Sequence, residues 1–302
     1  MNSPVIEVKS LWKTYGSTEA VKGIDLRVGS GEVFALLGPN GAGKSTTVEI
    51  LEGHRTRDSG EVSVLGHDPA RAEQRLRERI GIVLQRSGVE PYLTVEESVE
   101  MFRNYYPSPS PLDEVLEVTG LTELRRTRVR NLSGGQQRRL DVAIGLAGNP
   151  DLLFLDEPTT GFDPAARRNA WDMIRNLKAL GKTVFLTTHY LDEAEQLSDR
   201  VAIIVRGEIA RAGTTSEMTA LGGTHISFRL ARGGESLPPP FAGTLQPDGR
   251  YQLRSSAVTD DLHGLTTWAR HMNCELIDLR VARRSLEDIY LELVGRESGA
   301  EA

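Results

Sequence analysis

Apolar residues recur along the chain in two textures. At positions 24–28 they alternate, with Ile24, Leu26 and Val28 on one side and Asp25 and Arg27 on the other. That period predicts a half-buried antiparallel strand. Residues 33–37, 152–155, 184–186 and 201–205 are instead unbroken apolar runs, as expected of strands covered on both faces. Between these runs, Leu140, Ala143, Ile144 and Ala147 follow helical spacing, and Pro164 suits the first turn of a further helix. Alternating strands and helices predict an α/β core with a mainly parallel sheet and a β-rich amino-terminal flap. From about residue 216 the texture changes to Pro238, Pro239 and Pro240 among Gly233, Gly234, Gly243 and Gly249. Strands at 225–230, 251–254 and 275–281, helices at 260–272 and 286–294, and a frayed end are predicted there. The chain is therefore expected to divide into residues 1–215 and a small α+β domain at 216–302.

Composition narrows the class. The 302 residues are 39% hydrophobic and 26% charged, which suits a globular chain with a sizeable core. Thirty-six basic against forty-two acidic residues leave a net charge of -6, which argues against wholesale nucleic-acid binding. Cys274 has no cysteine to pair with and reads as an inert buried thiol. No apolar run approaches the roughly 20 residues of a membrane helix, and the MNSPVIEVKS terminus lacks the pattern of a signal peptide. A cytoplasmic location is expected, unless another protein holds the chain at a membrane.

Two motifs carry chemistry. Gly38-Pro39-Asn40-Gly41-Ala42-Gly43-Lys44-Ser45, with Thr46 next, follows the apolar run 33–37 and leads into a predicted helix. This is G-x-x-x-x-G-K-[ST] in its required context. Glycines let the backbone curl so that successive N–H groups face phosphate oxygens beside a positive helix end. Lys44 then places a charge at the β- and γ-phosphates, and Ser45 offers its hydroxyl to Mg²⁺. The second motif is Asp156-Glu157, delivered by the run 152–155 to the end of a strand where open α/β sheets bind ligands. Asp156 suits the Mg²⁺ held by Ser45, and Glu157 suits the water that attacks.

Leu132-Ser133-Gly134-Gly135-Gln136-Gln137 has a local reading as a capping box, in which Ser133 and Gln136 satisfy free backbone N–H groups. Such a helix start is also an anion site. With the two motifs above, it makes about the first 215 residues resemble the ATPase subunits of ATP-binding cassette (ABC) transporters. The resemblance implies a P-loop NTPase core carrying an antiparallel β subdomain and a helical subdomain. It also implies that ATP and Mg²⁺ bind, with Ser45, Gln85 and Asp156 as the metal set. Tyr15 then matches the aromatic that stacks on adenine, and His189 the histidine that contacts the γ-phosphate. Thr160-Gly161-Phe162-Asp163 matches the loop crossing the dimer interface, although leucine is commoner where Phe162 stands. Two copies are implied to pack head to tail, so that Ser133, Gly134, Gly135 and Gln136 of one close over ATP on the other. Separate membrane permease subunits are implied to dock beside the Gln85 loop, at residues 86–94 and the helix after them, which puts the chain on the inner face of the cell membrane.

Three stretches resemble drug- and antibiotic-exporting cassettes: residues 158–168, Arg138-Arg139-Leu140-Asp141, and residues 285–293. The last is also an amphipathic helix with Leu286, Ile289, Tyr290 and Leu293 on one face. Residues 125–130 are basic where some exporters are glutamate-rich. Export of a drug, antibiotic or lipid-like substrate is the expectation. The alternatives are an importer ATPase and a soluble ABC ATPase of nucleic-acid or ribosome processes. The latter class inserts coiled coils or fuses two cassettes, and this chain shows neither.

Overall fold

The computed structural model describes residues 3–83, 88–220, 224–231, 241, 243–246, 248–283 and 285–298. Its elements begin with β1 (Ile6–Tyr15), β2 (Thr18–Val28), β3 (Val33–Leu37), α1 (Lys44–Leu51) and β4 (Ser59–Val64). Next come α2 (Gln74–Arg77), β5 (Ile80–Val83), α3 (Val95–Arg103), α4 (Leu112–Val118), α5 (Gly134–Leu146) and β6 (Leu152–Asp156). Then follow α6 (Pro164–Ala179), β7 (Thr183–Thr188), α7 (Leu191–Leu197), β8 (Arg200–Val205) and β9 (Glu208–Thr214). The chain separates into two units, Met1–Thr214 and Thr215–Ala302.

In the first unit the two textures become two sheets. The alternating segment lies in an antiparallel sheet ordered β2-β1-β4, where Ile24, Leu26 and Val28 are buried while Asp25 and Arg27 are exposed. The continuous runs become the inner strands of a six-stranded sheet ordered β5-β6-β7-β3-β8-β9. All its pairings are parallel except β8 with β9. Every residue of β3 and β7 is buried, because both faces of these strands are covered. Phe185 joins the inner strands, its ring 5.4 Å from Phe34 and 5.7 Å from Phe154. One apolar cluster runs from this sheet through α1 to the inward face of the antiparallel sheet.

Close approach of backbone explains two glycines of the loop after β3. A Cβ at Gly38 would meet the Ile204 carbonyl oxygen at 2.3 Å, and one at Gly43 the Ala20 carbonyl oxygen at 2.4 Å. Gly43 also holds φ +107, a conformation open to glycine alone without strain. Gly43→Ala is therefore expected to destabilise the first unit by roughly 2–4 kcal/mol, summing backbone strain and overpacking. Urea unfolding followed by Trp fluorescence measures this, and an unchanged midpoint would contradict the packing described.

The second unit contains α8 (Thr215–Ala220), β10 (Thr224–Leu230), β11 (Gly243–Leu245), β12 (Tyr251–Ser255), α9 (Val258–His271), β13 (Leu276–Arg283) and α10 (Leu286–Ser298). Its antiparallel sheet is ordered β11-β12-β10-β13. Ile226, Phe228 and Leu253 of the sheet bury against Leu265 of α9. The three-residue β11 has too few positions to show a period, and the sequence pattern misses it. Helix α10 continues to Ser298, four residues beyond the predicted end, since Gly295-Arg296-Glu297 offers no apolar position to mark a helix. Cys274 is buried two residues before β13.

Candidate functional site

Lys44 opens α1 with Gly43 as its N-cap, so its side chain leaves from the turn between β3 and the helix. It is buried, and its ammonium donates to the carbonyl oxygens of Gly38 at 2.7 Å and Pro39 at 3.1 Å. Its Nζ also stands 3.8 Å from Glu157 Oε1. Burial lowers the Lys44 pKa, while Glu157 and Asp156 oppose the shift. Ser45 is exposed beside it, Thr46 is half-buried, and Asn40 and Gly41 are exposed at the loop's turn.

Strand β6 ends on Asp156, and β7 lies beside it. Thr187 of β7 donates its hydroxyl to Asp156 Oδ1 at 2.5 Å. The Glu157 N–H donates in turn to Thr187 O at 3.2 Å and Thr187 Oγ1 at 3.1 Å. Glu157 has φ +45, a left-handed conformation that costs a non-glycine residue about 1–3 kcal/mol. Its carboxylate accepts from Thr160 Oγ1 at 3.1 Å and lies 3.2 Å from His189 Nδ1. Lys44, Asp156, Glu157 and His189 thus converge from the ends of three neighbouring strands, β3, β6 and β7.

Other expected residues lie elsewhere. Ser133 and Gln136 form the capping box at the start of α5: Gln136 N–H donates to Ser133 Oγ at 3.3 Å, and Ser133 N–H donates to Gln136 Oε1 at 2.8 Å. Ser133 and Gly134 are exposed. With Gly135, Gly161, Phe162 and Asp163 they line a cleft of about 610 Å³ whose lining includes no residue of the 38–46 loop. Asp163 caps α6, one oxygen accepting from the N–H groups of Ala165 and Ala166. Tyr15 ends β1 exposed, with the Arg55 guanidinium 5.2 Å and Lys13 Nζ 5.5 Å from its ring centre. Gln85 lies outside the described residues. Among the described residues no group of three or more His, Cys, Asp or Glu side chains is arranged to hold a metal, and no helix is long and apolar enough to cross a membrane.

The sequence reading missed Thr187 and Glu52. Two adjacent threonines closing the apolar run 184–186, Thr187 and Thr188, were the available signal for the first. Glu52 follows α1 and is buried, and burial together with the nearby Asp156 and Glu49 charges pushes its pKa from 4.5 up to about 8. Its folded-state pKa is raised, so its contribution to stability is whole below about pH 4.5 and is lost as pH rises through about 8. Glu52→Gln removes this ionisation and is expected to gain stability over the parent at pH 9 but not at pH 5, by up to a few kcal/mol. Thermal unfolding at the two pH values measures the difference; equal shifts at both would contradict it.

A glycine-rich turn after a central parallel strand, a buried lysine and a carboxylate pair on the next strand but one define a P-loop nucleotide-hydrolysing protein. Residues 21–160 match the family described as ABC transporter, and residues 224–285 match the C-terminal domain of ABC transporter domain-containing proteins. The daunorubicin resistance ATP-binding protein DrrA3 of Streptomyces coeruleorubidus is 38% identical, over 98% of this chain and 97% of its own length. The linearmycin resistance ATP-binding protein LnrL of Bacillus subtilis is 34% identical, over 97% of this chain and 99% of its own. Among solved structures, cbiO1 of Clostridium perfringens, part of an ABC transporter complex, aligns with a TM-score of 0.66 at 29% identity, covering 72% of this chain and 92% of its own. The cassette MJ0796, solved as a dimer bound to ADP and Pi, aligns at 0.61 and 28% identity, over 70% and 98%. The chain belongs to the ATP-binding subunits of ABC transporters, and its activity is ATP hydrolysis.

Proposed function

We propose that this chain powers export of a drug, antibiotic or lipid-like substrate through separate membrane subunits, from the inner face of the cell membrane. The convergence of Lys44, Asp156, Glu157 and His189 carries the catalytic reading. The resistance proteins that match nearly full length support the direction of transport. Residues 1–215 are the ATP-binding domain and residues 216–302 a separate carboxyl-terminal domain.

In this reading two copies pack head to tail. The 38–45 loop with Thr46 cradles the phosphates of ATP, Tyr15 stacks on adenine, and Lys44 turns from its loop carbonyls to the β- and γ-phosphates. Ser133, Gly134, Gly135 and Gln136 of the facing copy close the site, with Asp163 at the interface. Glu157 takes a proton from water as the water oxygen bonds to the γ-phosphorus; the bond from that phosphorus to the β–γ bridging oxygen breaks, giving ADP and phosphate. His189 donates to the γ-phosphate. Ser45 and Asp156 offer the hard hydroxyl and carboxylate oxygens that suit Mg²⁺, which neutralises phosphate charge when bound. Gln85 completes that set by resemblance.

Closure excludes water, and loss of the γ-phosphate releases it, so the opening movement is the output. Ser133→Arg is expected to abolish ATP-dependent dimers of an otherwise hydrolysis-dead chain while single copies still bind ATP. Size exclusion with light scattering reads this. Direction is tested in inverted vesicles containing the chain and a permease that co-purifies with it. ATP-driven loading of substrate is expected, and a requirement for an external binding protein would instead make it an importer.

A further inference from the structure

The peptide joining Asp156 to Glu157 is gripped on both sides. Its N–H is bound by Thr187 of β7, as described above. Its carbonyl oxygen accepts from Arg138 Nη2 at 2.8 Å. Arg138 lies in the second turn of α5, the helix whose start carries Ser133, Gly134 and Gly135. Only 7% of the residue is exposed. Burying a guanidinium is costly unless its charge is compensated. Here Asp141 stands 3.8 Å away, and the charges of Asp156 and Glu193 also act on it. Glu193 is itself buried on α7, where it accepts from Thr159 Oγ1 at 2.7 Å and Trp171 Nε1 at 3.3 Å. A costly buried cation is thus held against one backbone carbonyl, next to the residue whose backbone is strained.

The strain gives the contact a consequence. A non-glycine residue at φ +45 persists only where its surroundings over-determine it. Turning Glu157 about its N–Cα bond relative to that peptide would release the strain and swing the carboxylate away from Lys44 and His189. The Arg138 hydrogen bond opposes this rotation from the α5 side, and Thr187 opposes it from the sheet.

We propose that Arg138 is a positioning residue for hydrolysis, which ties the second turn of α5 to the Asp156–Glu157 peptide and so aims the Glu157 carboxylate. The inference rests on the reading of Glu157 as the group that receives the proton of the attacking water. Because the tie starts on α5, seating of the Ser133 corner against a facing copy's nucleotide is linked to the aim of the carboxylate in its own site.

The test is a double-mutant cycle in the full chain, reading kcat, KM and ATP affinity for Arg138→Met, Glu157→Gln and the pair. Arg138→Met is expected to lower kcat roughly 10- to 100-fold, the scale of a small misplacement of a reacting group, with KM and ATP affinity unchanged. In the Glu157→Gln background the same change is expected to cost nothing further, because Arg138 acts only through that carboxylate. Arg138→Lys, which keeps the buried charge and one donor, is expected to give an intermediate kcat. It carries the same cycle should Arg138→Met fail to fold. Comparable losses in both backgrounds, or a raised KM at parental kcat, would overturn the proposal. Parental kcat in Arg138→Met overturns this tie alone, whereas parental kcat in Glu157→Gln overturns the underlying reading of Glu157.

Discussion

Replacing Glu157 by Gln is expected to slow ATP hydrolysis roughly 10²- to 10⁴-fold, the usual worth of a positioned general base, while ATP still binds. The substitution keeps the size of the side chain and its capacity to accept from Thr160, now 3.1 Å from the carboxylate. It removes the basic oxygen that faces Lys44 and His189. It also removes a negative charge from the place where a γ-phosphate would add more. ATP affinity should therefore be unchanged or higher, since like charges at short range in a partly buried site repel. A single-turnover measurement separates the steps: bound ATP should persist as ATP, and the subunits should stay paired. Normal turnover in the assembled transporter would remove Glu157 from the mechanism.

Lys44→Ala is expected to fail one step earlier. The Lys44 ammonium satisfies itself on two loop carbonyls and lies near Glu157, so it is both buried and pre-aimed. Its desolvation is already met by the fold, as the lowered pKa reflects, so exchanging those carbonyls for phosphate oxygens needs little further dehydration of the charge. A hydrogen bond to a charged group contributes about 1.5–3 kcal/mol, so ATP affinity should fall roughly 10- to 150-fold. Titration with a fluorescent ATP analogue checks this, and AMP, which lacks the β- and γ-phosphates, serves as the contrast. An unchanged affinity for ATP would mean that the loop does not hold the triphosphate. The two variants thus divide the site: one binds without turnover, the other scarcely binds.

Much of this site was legible along the chain because its parts are local. The loop at 38–45 has its strand, its glycines and its lysine in sequence, and the positions of Gly38 and Gly43 record contacts a Cβ would block. The apolar runs of β3, β6, β7 and β8 record burial on both faces. The capping box at Ser133 and the helix start at Pro164 were visible for the same reason, since a helix start is marked within a few residues.

Sequence alone therefore determined that there is a phosphate loop, a carboxylate pair at a strand end and a capped glycine corner, because each is fixed by neighbours a few bonds away. The tertiary structure decided the order β5-β6-β7-β3-β8-β9, which brings residues more than a hundred positions apart to one rim. It also decided the left-handed backbone of Glu157 and the grip of Thr187 and Arg138 upon it. Those depend on how a helix and two strands meet, and periodicity records which face of an element is buried but not which element covers it.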